Sequence, residues 1–454
     1  MKNHPFGHGG KHDKIFFIGM LICGGCPQAL YAADFAYGLG YTATSSSNIT
    51  RVPVNERHEW INSLLAGAIY AESTPTVTAR VLAQAEYRNY SKNVFGDETL
   101  FNMNANAVWT LSPQRFTWTV DDAYRQLLVD VTAATTPANR TNTNTFDTGP
   151  DFYLRFTPVN SLALGARVGN FYTARGDTDN DRFSGYASWL YQATASTTYS
   201  LNYQMLDVNY DNDTLNTNFI RHDLFLRART RPSRSEFILD LGASDINRAR
   251  GNDPRETLTR LSWVRQLTPE STLSLILSKE SSDVGTDILT TSVVTNVPVT
   301  PGQVTTTPPA LAQDVVTGDV YVTKRSEIIY THHGSKVGAT FSLFKRDLNF
   351  EATPMDRKET GGHLELSFLY FGTSTAAFFS DYAKTEYLDF FRRDTDKDSG
   401  LRFSYLVRKS LTLGLEGHHI VRTSTASTLD FVENRVLFSV LYSSGPLFTP
   451  QPGR

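Results

Sequence analysis

Beyond residue 32 the 454-residue sequence has no cysteine, no long apolar run and little net charge of either sign. Its two cysteines, Cys23 and Cys26, lie in the leader-like N-terminus. Disulfides, thiol catalysis and thiolate metal sites are therefore excluded from everything after it. No later segment reaches the roughly 18 continuous apolar residues of a membrane-spanning helix. A formal charge of −3 offers no basic excess for nucleic acid and no acidic tail typical of disorder. Mean hydropathy is only −0.30. That value is ordinary for a soluble protein but does not exclude a barrel, in which only every second strand residue meets lipid.

The one apolar run, from Ile15 to Cys26, follows Lys11 and Lys14 and precedes the small residues Ala29, Ala32 and Ala33. This is the layout of an export signal. Residues 1–32 are expected to be a signal peptide and residues 33–454 the exported chain.

What fills the remainder is alternation. Phe101, Met103, Ala105, Ala107, Trp109 and Leu111 interleave with Asn102, Asn104, Asn106 and Thr110. A strand sends successive side chains to opposite faces, so one face here is apolar and the other carries amides. The pattern recurs with Leu162, Leu164, Ala166 and Val168; with Tyr199, Leu201, Tyr203 and Met205; with Leu273, Leu275 and Leu277; with Leu364, Leu366, Phe368 and Tyr370; and with Leu401, Phe403, Tyr405 and Val407. The connections alternate too. Short turns, several carrying proline (Ser112-Pro113, Thr157-Pro158, Thr268-Pro269), are separated by longer polar stretches at 131–144, 176–181, 209–217 and 392–400. Long strands with short turns at one rim and long loops at the other describe an all-β fold: a single large antiparallel transmembrane β-barrel of about 20 strands, 18 to 20 fitting the turns. Its place is the bacterial outer membrane. Outer-membrane lipid and lipopolysaccharide are its expected surroundings and the barrel-assembly machinery its expected partner.

One segment breaks the rhythm. Residues 284–319 are rich in Thr, Val and Pro and lack Lys and Arg. Its prolines preclude a single ladder strand. A plug needs charges to pair with the wall, and the body of this segment offers only Asp287 and Asp314, so an extracellular loop hanging outside is the favoured expectation and a loop folded into the mouth as a constriction or plug the alternative.

Alternation assigns the inward face strand by strand. Arg155, Arg167, Arg227, Arg229, Arg260, Arg402 and Arg408 point inward, as do Asp223, Glu236, Asp240, Glu280, Glu365, Asp381 and Glu416. Signs so nearly balanced predict a hydrated, cross-linked pore lining with little net field, suited to neutral or weakly charged hydrophilic solutes. The histidines His58, His222, His332, His333, His363, His418 and His419 form no metal-ligand pattern, because neighbours on a strand face opposite ways. His363 and Glu365 share the inward face and could touch. The acidic run Asp177-Thr178-Asp179-Asn180-Asp181 lacks the glycine and distal glutamate of a calcium loop, Asp394-Thr395-Asp396-Lys397-Asp398 carries Lys397 in its middle, and both read as solvated extracellular turns. No catalytic, cofactor or metal residues are expected, and no enzyme.

The stretch Gly38–Tyr41 (Gly-Leu-Gly-Tyr), Ser47–Arg51 (Ser-Asn-Ile-Thr-Arg), Glu59-Trp60 and the run 260–280, Arg-Leu-Ser-Trp-Val-Arg-Gln-Leu-Thr-Pro-Glu-Ser-Thr-Leu-Ser-Leu-Ile-Leu-Ser-Lys-Glu, resemble the outer-membrane β-barrel family associated with PEP-CTERM/exosortase systems, within the wider beta-barrel porin 2 group. The resemblance runs over nearly all of the chain after the leader. It implies an outer-membrane barrel and, by association, a channel or export pore serving exopolysaccharide, with polysaccharide export components as partners. It supplies no catalytic residues. A structural or surface-attachment barrel with a blocked pore is the alternative, and a barrel hydrolase a more distant one.

Overall fold

The computed structural model describes residues 33–294 and 315–444; the expected leader, both cysteines and the centre of the 284–319 segment lie outside the described residues. Everything else follows from the alternation. The described chain forms one twenty-stranded antiparallel sheet: β1 (Ala33–Ser46), β2 (Glu59–Ser73), β3 (Val77–Tyr90), β4 (Glu98–Ser112), β5 (Phe116–Leu128), β6 (Arg140–Arg155), β7 (Asn160–Thr173), β8 (Asn180–Gln192), β9 (Thr197–Tyr210), β10 (Phe219–Thr230), β11 (Ser235–Arg248), β12 (Arg255–Thr268), β13 (Ser271–Ser282), β14 (Tyr321–His333), β15 (Val337–Phe350), β16 (Arg357–Tyr370), β17 (Ser374–Tyr387), β18 (Arg392–Arg408), β19 (Leu411–Ser424) and β20 (Phe431–Ser443). Each strand pairs with its sequence neighbours, and β1 pairs with β20, Leu39 opposite Tyr442. The sheet is therefore closed. Closure leaves no edge of unpaired backbone groups, the condition for strands to cross lipid.

The faces follow the alternation. Leu64, Leu224, Leu226, Leu241, Leu277, Leu343, Leu401 and Leu415 are exposed on the outside. Interior positions such as Thr143, Thr145, Asp223 and Asp240 are buried. That inversion of a soluble protein is what a lipid-facing belt looks like. Odd-to-even connections are the long ones (47–58, 129–139, 211–218) and even-to-odd connections the short ones (74–76, 113–115, 409–410). The short turns use the expected chemistry. Thr157 Oγ1 accepts from the Val159 and Asn160 amides at 3.3 and 3.0 Å, and Gln114 carries the positive φ of +59° that closes its turn.

Two expectations fail here. Residues 392–400 are not a loop: the connection is 388–391, and Arg392 begins β18. Asp394, Asp396 and Asp398 occupy alternate inward positions of that strand, where Arg392, Arg422 and His418 pair with them. Charge density read as solvent exposure; the charges face the lumen instead. The second failure is larger. The start of the 284–319 segment, Val284–Val294, is a helix, α1, and its end at 315–320 is buried within the barrel wall's circumference.

Candidate functional site

Inward positions carry short polar side chains, arginines and acids because a wide lumen must be filled or hydrated. The opposite charges find one another along and across the strands of the wall. Arg227 bonds Asp240 through two contacts of 2.7 Å. Arg260 reaches Glu280 at 2.6 Å and Asp240 at 3.6 Å. Arg229 and Arg231 share Glu236. Arg167 forks onto Asp151 at 2.8 Å. Arg221 lies 3.4 Å from Asp223. On the opposite wall Arg402 joins Glu416 at 2.9 Å and Glu365 at 3.4 Å, above the ring of Phe379.

His363 does not pair with Glu365 as its position allowed; its Nδ1 meets Asp381 at 2.8 Å. His418 sits between Asp398 and Glu416, at 3.0 and 2.9 Å. His419 turns outward to Asn434, as alternation requires. Arg155 and Arg408 lie near the short-turn rim, exposed and without an ion pair among the described residues. Thirteen of the fourteen residues assigned to the inward face keep its parity; the exception is Arg408, which follows a register shift between Leu406 and Arg408 and stands opposite Leu411 on the outward face. No cluster able to hold a metal ion occurs among the described residues.

The lumen is not uniform along its axis. Near the long-loop rim its side chains are buried: Arg182 is 3% exposed and Asp283 4%. Toward the short turns Arg227 and Arg229 are each 41% exposed. The cause is α1 and the strap 315–320. Val284, Ile288 and Val316 share one apolar cluster with Ala123 and Leu127 of β5, Phe171 of β7, Tyr321 of β14 and Leu348 of β15. Strands β5 and β15 are ten positions apart in a ring of twenty. Residues on opposite walls can join one cluster only through something lying between them, so this segment crosses the lumen.

Polar bonds anchor it at both ends. Arg182 donates to Asp283 at 2.7 and 3.2 Å and to Thr286 at 2.9 Å. Arg221 donates to the Ser281 carbonyl at 3.0 Å and Arg125 to the Ile288 carbonyl at 2.6 Å. Tyr321 and Ser282 both donate to Asp287. On the return path Val316 donates to the Leu128 carbonyl at 2.9 Å. Asp319 accepts from the Ala352 and Thr353 amides at 2.6 and 2.8 Å and lies 3.4 Å from Arg248. Burial alone would raise the Asp283 carboxyl, but the Arg182 guanidinium, with Arg221 and the Thr286 hydroxyl, holds it well below the usual carboxylate range. The loop 129–139 adds to the closure: Val131 and Val315 pack with Tyr387 of β17, whose hydroxyl donates to the Val131 carbonyl at 3.1 Å.

The expectation of a loop hanging outside is therefore corrected. The anchoring charges, Asp283 and Asp319, stand at the segment's two ends, where a count of charges within its body undervalued them. The partner cations Arg125, Arg182, Arg221 and Arg248 were absent from the sequence-based set, although each lies on the inward parity of its strand. The acid run 177–181 carries no cation cage; Asp179 accepts from the backbone and hydroxyl of Thr173 at 2.8 and 3.0 Å.

No protein-family model matches the sequence, and no curated protein does. Solved structures do match. The FrpB iron transporter from Neisseria meningitidis in its apoprotein form is 10% identical, with 91% of this chain and 82% of that chain covered at a TM-score of 0.48. OccK2 (OpdF) from Pseudomonas aeruginosa is 8% identical, with 91% and 98% covered at 0.37. The copper transporter OprC is 10% identical, with 90% and 80% covered at 0.43. At these levels the likeness is one of general architecture. The chain is a β-barrel of the outer-membrane type.

Proposed function

We propose that the protein is an outer-membrane channel that rests closed, its long-loop mouth sealed by its own 283–320 segment. The observation that carries this reading is the single apolar cluster joining β5, β7, β14 and β15 through Val284, Ile288 and Val316. The long-loop rim is the extracellular one in such barrels, so the open half of the lumen faces the periplasm. That vestibule is lined by ion-paired arginines and acids with little net field, which supports a polar, weakly charged cargo, glycans among them. Export of exopolysaccharide is the finer form of the proposal and rests on the sequence resemblance. Liposomes carrying a variant lacking 284–319 test the cargo class: they should admit neutral oligosaccharides and singly charged sugars at similar rates. Strong preference for one charge sign would contradict the balanced lining. A cell lacking the protein should export less polysaccharide than its parent; equal export would remove that assignment.

A structural or surface-attachment barrel is the second reading, favoured by the same plug. It differs in predicting that no ligand or voltage opens the pore.

A further inference from the structure

The outer face carries a second pattern. From the short-turn rim, most strands present an outward run of apolar residues, interrupted only by Gly, Ser or Thr, and then a first charged, amide or imidazole residue, which sets the belt's upper edge. On β5 to β9 and β11 the edge residues are acids or amides: Asp122, Asn144, Asn170, Asp181, Asp207 and Asp245, with His222 between them on β10. On β13 to β18 they are lysines. Lys279, Lys324, Lys345, Lys358, Lys384 and Lys397 form an arc, with Arg393 just above it.

The arc is contiguous. Lys279 stands directly opposite Lys324, Lys358 opposite Asp347, and Lys384 opposite Thr360. Like charges directly opposite one another across a ladder repel, and they persist where something offsets the repulsion. The acids nearby do so only in part. Glu256 takes Lys279 at 2.6 Å, and Glu386 takes Lys384 and Arg393 at 2.8 and 3.0 Å. Asp347 stands in register between Lys324 and Lys358. Lys324, Lys345, Lys358 and Lys397 are exposed and make no ion pair among the described residues.

From this we infer that the arc over β13–β18 is a binding site for the phosphorylated headgroup of an outer-leaflet glycolipid. The site rests on the outer-membrane reading above. The occupant must be amphiphilic, because Leu277 and Leu275 lie directly below Lys279, Leu343 and Phe341 directly below Lys345, and Leu364 and Leu366 lower on the outward row of Lys358. One outward step along a strand is about 7 Å, so acyl chains against the leucines place phosphates at the ammonium groups. A soluble polyanion would use the lysines and leave the apolar ladder unmatched. The acidic arc on the other side of the barrel gives the same lipid no direct counter-charge, so the bound lipid is confined to one side.

The test compares the full-length protein with K279Q/K324Q/K345Q/K358Q, each inserted into phosphatidylcholine vesicles with and without diphosphoryl lipid A, then extracted and weighed by native mass spectrometry. Heat-modifiable migration from the lipid A-free vesicles scores insertion separately. The wild type should retain lipid A, and retention should fall about fivefold per lysine removed. Lysine-to-arginine substitution at the same positions should restore it. K336Q/K409Q, at the opposite rim, should not change it. Equal retention by wild type and the glutamine variant, or none by either, would overturn the site while leaving the barrel intact. Wild-type oligomers that form without lipid A and dissociate in the glutamine variant would overturn it in favour of head-to-tail pairing of the two arcs. Failure to insert at all would remove the membrane reading and the site with it.

Discussion

Asp283 and Arg182 are almost wholly buried, and each satisfies the other. Removing one partner of such a pair leaves an uncompensated charge and costs about 3–5 kcal/mol. Asp283→Asn should therefore loosen the plug without unfolding the barrel, read as faster proteolysis of 283–320 in a heat-modifiable protein. Acid should mimic it only weakly. The Asp283 carboxyl is held below its ordinary range, so its stabilisation is complete above that range and is lost only as pH falls through the lower folded value. Plug protection in the wild type should be flat from neutral pH down to the ordinary carboxylate range, and should fall only in stronger acid. Loss of protection between pH 7 and 5 would mean another group holds the segment. On the outer face, arginine at Leu275 should cost about 2–4 kcal/mol near the belt's midplane, and arginine at Asn104, on the lumen side, much less. Equal costs in denaturant titrations of the two variants would mean the strand faces are exchanged.

At the scale of elements, strands were legible because period-two alternation is a local signal that survives in every hairpin. Thirteen of the fourteen charges followed from it, as did the outward leucines of β7, β13 and β16; Arg408 did not, because a bulge after Leu406 shifts the period by one. Where the signal is not local, reading failed. Residues 392–400 are charged or small throughout, with no apolar face until Leu401, so the strand start was hidden among its own lumen charges. The plug ranks second on sequence alone for a related reason: its partners are distant in sequence, Arg182 lying a hundred and one residues before Asp283. Helix α1 itself is short and rich in Thr and Val, which helices favour little, so tertiary packing rather than propensity holds it. Leu348→Ala on β15 removes part of the surface beneath Ile288. A core Leu→Ala change costs about 2–5 kcal/mol, so α1 should detach locally, seen as lost amide-exchange protection over 284–294 while β15 stays protected. Retained protection would show that the polar anchors suffice without the apolar contact.

At the scale of the whole molecule, twenty strands enclose a lumen between the widths of porins, which leave a channel, and of plugged twenty-two-stranded transporters. This barrel fills the long-loop half with its own chain and leaves the short-turn half hydrated. Its outer surface is equally divided, with lysines above the belt on β13–β18 and acids or amides above it on most of β5–β11. Both divisions come from one sequence rule, alternation, acting with different residues at different heights. The central claim is that segment 283–320 closes the pore, and single-channel conductance in planar bilayers tests it most directly. The wild type should conduct weakly, and a correctly folded variant lacking 284–319 should conduct several-fold more, with Asp283→Asn between them. Equal conductance in the wild type and the deletion would contradict the account.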